Sequence, residues 1–275
     1  MKVIGIGDNV VDKYEHRRVR YPGGNALNFS VYAAMLDASA AYLGIFGNDA
    51  AADHVMRALA KFGIDIRHCR QVAGENGYAR LTIEQGERVF LGSNLGGVRQ
   101  TESMDFILQQ MDWLNDFSLI HTSSYSYIDA QLPALATLSG WLSYDFSDDF
   151  VIAQALPLCR WLDAAFFSCA GWSLVETREL LVQAVQAGSG LAVATRGEQG
   201  ALLFDGKDWY QQEPETVTPV DTLGAGDAFI TAFLLHLRQH GNITAALQAA
   251  AHFAARICLV DGAFGEGDRK STRLN

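Results

Sequence analysis

The sequence predicts one α/β domain, a three-layer sandwich whose mostly parallel central sheet carries a small antiparallel β flap. Three observations predict it. Short apolar runs alternate with helical patterns from Val3 to Thr195, as in strands joined by crossover helices in a sheet covered on both faces. Residues 78–84 break that rhythm and alternate apolar with polar side chains, the pattern of a strand with one wet face. The 275 residues, 49% hydrophobic and 19% charged with five prolines, suffice for one sizeable core and leave little for disorder.

The elements follow in order. Residues 3–7 form a buried strand. Residues 13–21 are a short extended piece that can pair with the flap. Asn25 is placed as N-cap of a helix through Ala26, Asn28, Val31 and Leu36. Residues 41–46 return to strand, and Asp49 caps a helix with Val55, Leu59 and Phe62 inward, stopped by Gly63. Residues 78–84 and 88–92 flank a Gln85-Gly86 turn as a hairpin. Buried strands are expected at 119–122, 142–146, 164–168 and 191–195, and a helix at 174–187. One domain over 1–267 results, with lid segments at about 12–21 and 75–95 inserted.

Composition excludes several function classes. A formal charge of −10 argues against duplex nucleic acid and anionic membrane as partners. Phosphate is still allowed locally, because a cradle of backbone N–H groups can hold it against the global field. Cys69, Cys159, Cys169 and Cys258 show no C-x-x-C pair, which argues against zinc and redox motifs and for reduced thiols. With no run of about 18 apolar residues and no leader pattern, a cytoplasmic protein is expected. The last eight residues, 268–275, are polar and basic and match the translation of a common sequencing-library adaptor. They are set aside as a non-native or disordered tail.

The strongest chemical signal is Asp221-Thr-Leu-Gly-Ala-Gly-Asp227, which opens a helical run to His240 ended by Gly241. Glycines before a helix let the backbone approach a ligand, and the helix N-terminus favours negative charge. A carboxylate at the edge of an anion cradle repels what the cradle binds. It makes sense where Asp227 must take a proton from a hydroxyl attacking a phosphoryl group. A plain glycine-rich cap with an acidic first turn is the alternative reading.

This segment resembles the C-terminal signature of the ribokinase-like (PfkB) carbohydrate kinase family, with only the family's usual variable position differing. Gly23-Gly24-Asn-Ala-Leu-Asn28 is similar to its sugar-contacting G-G-x-x-x-N element. Thr195-Arg-Gly197-Glu-Gln-Gly200 is similar to its nucleotide loop, and Gly262-Ala263 to its closing turn. The resemblance runs from Val3 to about Ala263 and implies a ribokinase-like α/β/α sandwich using ATP and Mg2+. It makes Asp227 the base and puts Gly224, Ala225 and Gly226 with it in the anion hole. Asp8, Asp12, Gly23, Gly24 and Asn28 become the sugar site, and Thr195, Gly197, Gly200 and Thr222 the nucleotide site. Some relatives bind K+ between the segments equivalent to the Asp221 loop and the Gly262-Ala263 turn. The family's N-x-x-E motif, which organises magnesium, falls on Ser168-Cys-Ala-Gly171 and is not kept. The metal ligands are therefore unassigned. Glu176, one helical turn on, is a substitute carboxylate or simply a surface residue.

Only ten residues separate Asp12 from Gly23. That short link, the Gly7-Asp-Asn-x-Val-Asp12 opening and the Asp145-Phe-Ser147-Asp148 segment resemble the subgroup acting on Amadori compounds, sugars joined to an amino acid. Fructoselysine, phosphorylated at the terminal hydroxyl, is the first expectation. Kinases of fructose, ribose or nucleosides and a catalytically silent sugar-binding protein are the alternatives. His16-Arg-Arg-Val-Arg20 is read either as a grip on the substrate carboxylate or as charge protecting an edge strand. An exposed lid edge suggests a homodimer through the lid. A dinucleotide site at Gly5-Ile-Gly7 fails because Val10 stands where the third glycine belongs. No G-x-x-x-x-G-K-S/T P-loop occurs.

Overall fold

A computed structural model describes residues 1–84 and 87–269. The strands, in chain order, are β1 (Lys2–Gly7), β2 (Val10–Tyr14), β3 (Val19–Gly23), β4 (Ser39–Phe46), β5 (Arg70–Gln71), β6 (Gly77–Glu84) and β7 (Glu87–Ser93). They continue as β8 (Leu119–Ser123), β9 (Trp141–Asp145), β10 (Ala164–Ser168), β11 (Leu191–Thr195), β12 (Ala201–Phe204), β13 (Trp209–Gln212) and β14 (Asp268–Arg269).

Nine of them form the main sheet in the order β13-β12-β11-β10-β9-β8-β1-β4-β5. From β11 to β5 every neighbouring pair is parallel. The edge departs from the expected rhythm, because β12 and β13 return antiparallel. A tight turn at Gly197–Gln199, closed by the Arg196 N–H on the Gly200 carbonyl (2.8 Å), reverses the chain there.

Both faces of the sheet are covered, which is why its strands read as unbroken apolar runs. Side chains alternate between two cores. Val3, Phe166 and Val193 join the helices Asn25–Met35, Ala50–Lys61, Ala225–His240 and Ile243–Ile257 on one side. Ile4, Ile6, Phe167 and Ala194 join the helix Leu174–Gln186 and shorter helices on the other. Asp49 caps its helix as expected, accepting the Ala52 N–H at 2.9 Å. Asn25 does not cap: Gly24 holds the N-cap position, and Asn25 is the first helical residue.

The helix Asn25–Met35 rides unusually close to β1. A methyl group on Gly5 would stand 1.9 Å from the Ala26 carbonyl oxygen and 2.6 Å from Ser30 Oγ. Ser30 Oγ in turn accepts the Gly5 N–H (3.1 Å) and donates to the Ala41 carbonyl (2.8 Å). This contact sets how far the start of the helix reaches over the C-terminal edge of the sheet.

The flap is a second sheet, ordered β14-β3-β2-β6-β7. It is not purely antiparallel, since β2 and β6 run parallel. That pair joins the two inserted segments into one lid, and residues 10–23 form a hairpin of their own. Asp268 and Arg269, set aside with the tail on sequence, pair with Arg20 and Val19 of β3. The Gln85-Gly86 turn and residues 270–275 lie outside the described residues. Among the described residues no helix is long and apolar enough to cross a membrane.

Replacing Gly5 with Ala should therefore destabilise the protein by about 3 kcal/mol, the scale of a forced core overlap. Urea unfolding reads this as a lower midpoint at unchanged slope.

Candidate active site

The parallel strands β1, β8, β9, β10 and β11 end at one edge of the sheet, carrying Asp8, Ser123, Asp145, Ser168 and Thr195 there. Ligands in open α/β sheets bind at such an edge. Asp227 reaches it from the first turn of the helix Ala225–His240. Asn28, 199 positions earlier in sequence, donates its Nδ2–H to Asp227 Oδ2 at 2.7 Å, and both residues are buried. The sugar-type element and the signature segment thus meet through one hydrogen bond. Asn28 Oδ1 is buried with no partner among the described residues, so an acceptor is left for a ligand hydroxyl.

Asp8 has a structural task at this edge. Its Oδ2 accepts the Asn25 N–H (2.6 Å), and its Oδ1 accepts the Ala26 N–H (3.2 Å), Ser123 Oγ–H (3.0 Å) and Ser126 Oγ–H (2.9 Å). It caps the helix Asn25–Met35 from another element, and its acceptors are spent on protein donors. Asn25 is freed to donate its Nδ2–H to Asp145 Oδ2 at 2.9 Å. Asp12, on β2, is also buried. A methyl on Gly23 would stand 2.3 Å from Asp12 Oδ2, so the glycine lets that carboxylate lie against the β3 backbone. Gly24, at φ 116°, has room only for hydrogen, with Asp8 Oδ2 2.9 Å from any methyl placed there.

The carboxylates shift one another. Burial, then the charge of Asp145, then Asp8 and Asp12, hold Asp227 well above the usual carboxylate range; the Asn28 hydrogen bond opposes this. Burial pushes Asp145 up to about 6, aided by Asp8 and Asp148 and opposed by the Ser147 N–H and by Asn25. A buried carboxylate raised in this way is a stronger base than one in water.

Next to Asp227 the backbone forms an anion nest. Gly224 adopts φ 76°, and a methyl there would strike Tyr32 Oη at 2.3 Å. The Ala225 N–H is held by the Thr222 carbonyl (3.3 Å) and the Ala228 N–H by the Gly224 carbonyl (2.8 Å). The N–H groups of Gly226 and Asp227 have no acceptor among the described residues, as expected of a helix N-terminus. Among the described residues nothing lies within 4 Å of a methyl placed on Gly226, so none of them fills the space beside that residue. This geometry fits a phosphate group.

The remaining sites are split. Thr222 is exposed beside the nest. Gly197, at φ 56°, is also open, with only Ala170 Cβ within 4 Å of a methyl there. Gly200 is instead packed against the Gln212 carbonyl, 1.9 Å from a methyl. Thr195 and Gly197 share the sheet edge with Asp227 without a hydrogen bond to it among the described residues. Glu176 is no substitute metal ligand, since its carboxylate accepts the Ser173 N–H (3.0 Å) in a capping box. Among the described residues no three His, Cys, Asp or Glu side chains converge to hold a metal ion. Arg17, one of the arginines considered for a substrate carboxylate, makes a bidentate pair with Asp261 at 2.5 and 2.8 Å. All four cysteines are free thiols.

Sequence reasoning missed the capping role of Asp8 and the contacts of Asn25, Ser123 and Ser126. Asp145 was noticed only as part of a resembling segment; an acidic residue at the end of a buried strand was the signal available.

Comparison with known proteins bears on the family and the fold. Residues 1–265 match the model of the "pfkB family carbohydrate kinase". The chain is 41% identical to "Fructosamine kinase FrlD" of Bacillus subtilis over 268 residues, covering 97% of this chain and 94% of that protein. It is 32% identical to "Fructoselysine 6-kinase" of Escherichia coli over 232 residues, covering 83% and 86%. Its fold superposes on Arabidopsis thaliana ribokinase complexed with ribose and ATP with a TM-score of 0.79 at 18% identity, covering 98% and 96% of the two chains.

The raised Asp145 carboxyl has a measurable consequence for stability. A carboxyl raised in the fold destabilises it once ionised, so that burden is absent below about pH 4 and complete above about pH 6. Between those limits wild type should lose stability with rising pH relative to Asp145→Asn. The difference should move in the variant's favour by up to about 3 kcal/mol. Urea titrations at pH 4, 5, 6 and 7 measure it, and a difference constant with pH would show that Asp145 is not raised.

Proposed function

The chain belongs to the pfkB family of carbohydrate kinases, and we propose that it phosphorylates the terminal sugar hydroxyl of a fructosamine with Asp227 as the base. It is an ATP-dependent phosphotransferase, and kinases of this family use ATP with magnesium. The observation that carries the assignment of the base is the buried Asn28–Asp227 hydrogen bond beside an open nest. In this reading Asn28 orients the carboxylate, while its orphaned Oδ1 accepts a neighbouring hydroxyl of the same sugar. Asp12, beside Gly23 in the lid, accepts another. The reacting hydroxyl gives its proton to Asp227. Its oxygen then bonds to the γ-phosphorus as the bond to the departing ADP oxygen breaks. The N–H groups of Gly226 and Asp227 take up charge growing on the transferred group.

Magnesium supplies charge neutralisation on the nucleotide when it is bound. The loss of N-x-x-E at 168–171, and the commitment of Glu176 to its cap, suit an ion carried mainly by phosphate and water.

Two findings favour a fructosamine acceptor. Both curated relatives above act, by their names, on fructosamine or fructoselysine. The proposed base also stands among acceptors, with Asn28 Oδ1 unpartnered among the described residues and the charges of Asp12 and Asp145 acting on Asp227, which suits a ligand rich in donors. A protonated amine on that ligand is favoured further by the acidic surroundings.

A kinase assay over fructoselysine, other fructosamines, fructose and ribose tests the acceptor. The highest kcat/KM should fall on a fructosamine; an equal or higher value for fructose or ribose would overturn it. Asp227→Asn should lower kcat by at least ~10²-fold, the scale of general-base catalysis. Gly226→Ala should fold with an unchanged melting temperature, yet place a methyl in the phosphoryl space and lower kcat/KM by about tenfold or more. Full activity in that variant would move the phosphate away from this nest.

A further inference from the structure

The loop bearing the nest is anchored by one buried carboxylate. Asp221 Oδ1 accepts the Leu223 N–H at 3.0 Å, and Oδ2 accepts the Tyr14 phenol at 2.5 Å and the Gly262 N–H at 3.0 Å. Tyr14 is 1% exposed and Asp221 7%. Tyr14 belongs to lid strand β2 and lies edge-on to Tyr21 at 5.2 Å. The Tyr21 ring closes on the turn, its Cγ 2.5 Å from any methyl placed on Gly262. The next carbonyl, that of Ala263, accepts the Tyr32 phenol at 2.5 Å.

These residues do not fit the monovalent-ion site that some relatives hold between the equivalent segments. A cation of that kind needs several oxygen lone pairs turned to one point, free of competing donors. Here both Asp221 oxygens and the Ala263 carbonyl already receive O–H or N–H groups. Each of those donors turns its positive end to an oxygen that an ion would need. Gly262 turns its N–H, not its carbonyl, toward the carboxylate.

We infer that the Tyr14 phenol takes the place of a monovalent cation, so that the lid, not an ion, holds the anion loop in its phosphate-binding shape. Tyr14 is thus a positioning residue, acting on ATP through Asp221. The inference rests on the kinase reading but not on which sugar is phosphorylated. It couples the two substrates, since the strand that carries Asp12 over the sugar also carries the phenol that shapes the nest.

The test compares K+, Na+ and choline as sole monovalent cation at equal ionic strength. Wild-type kcat/KM for ATP should agree across the three within about threefold, and the melting temperature should not respond to K+ specifically. Larger activation by K+, or a K+-specific rise in melting temperature, overturns the inference. Tyr14→Phe keeps the ring and removes only the donor. Its KM for ATP should rise about tenfold, the scale of a lost hydrogen bond to a charged group, while kcat falls by less. Added K+ should then lower that KM, because the Asp221 oxygen relieved of the phenol can accept an ion. A KM equal to wild type overturns the inference, and so does a raised KM that ignores K+. Calorimetric binding of ATP to both proteins gives the same comparison without an acceptor. A wrong acceptor assignment and a wrong Tyr14 assignment therefore read differently.

Discussion

Four carboxylates, Asp8, Asp12, Asp145 and Asp227, crowd one end of the sheet, all nearly inaccessible to water. The site can exist only because the fold supplies them with donors. Leaving such charges both buried and unpaired would cost more than a small domain's whole margin of stability. Asp8 draws on a helix N-terminus and two serines, Asp145 on a backbone N–H and Asn25, and Asp227 on Asn28. All three draw at least in part on the first turn of the helix Asn25–Met35, through the N–H groups of Asn25 and Ala26 and the amides of Asn25 and Asn28. That helix must therefore start where it does, and Gly5 is the residue that lets it lie so near β1.

The same economy of contacts ties the lid to the body. The hairpin of β2 and β3 is held to the C-terminal segment by Tyr14 on Asp221, Arg17 on Asp261, and Arg20 on Asp268 at 2.7 Å. Only the first of these is buried, and exposed ion pairs contribute little on their own. The buried phenol–carboxylate bond is consequently the strongest of these three ties. Its effect reaches the phosphate nest because Asp221 and Gly224 are separated by one short turn.

Much of the fold was legible because burial on both faces leaves an unmistakable trace, as in residues 3–7 and 164–168, where hardly a polar side chain interrupts. The alternation over 78–84 likewise marked the flap. The parallel pairing of β2 with β6 was not legible, since their register is fixed by contacts between residues 67 positions apart. Nor was β12, a run of four residues whose strand character depends on the turn at Gly197–Gln199. Within the site, Asp227, Asn28 and the glycines stood out because their chemistry demands particular residue types. The cap on the helix did not, because Asn25 offered a plausible local cap while the actual one, Asp8, comes from 17 positions earlier. Ser173-x-x-Glu176 could have been read as a capping box, which would have removed Glu176 from the metal question on sequence alone.

The placement of Asp227 can be weighed by what its surroundings do to it. A carboxylate in water is a weak base, half protonated only near pH 4, and a sugar hydroxyl gives up its proton reluctantly. Burial and the neighbouring negative charges both raise Asp227, which strengthens it as a base. The same charges repel a triphosphate, so they would obstruct the reaction if nothing opposed them. The opposing element is local and directional: N–H groups at a helix N-terminus, aimed at the one region where phosphoryl charge gathers. In the proposed reaction acidic neighbours act on the proton while the helix end acts on the phosphate. The two demands are compatible because one works through side chains and the other through backbone N–H groups, with Asn28 holding the carboxylate by a hydrogen bond.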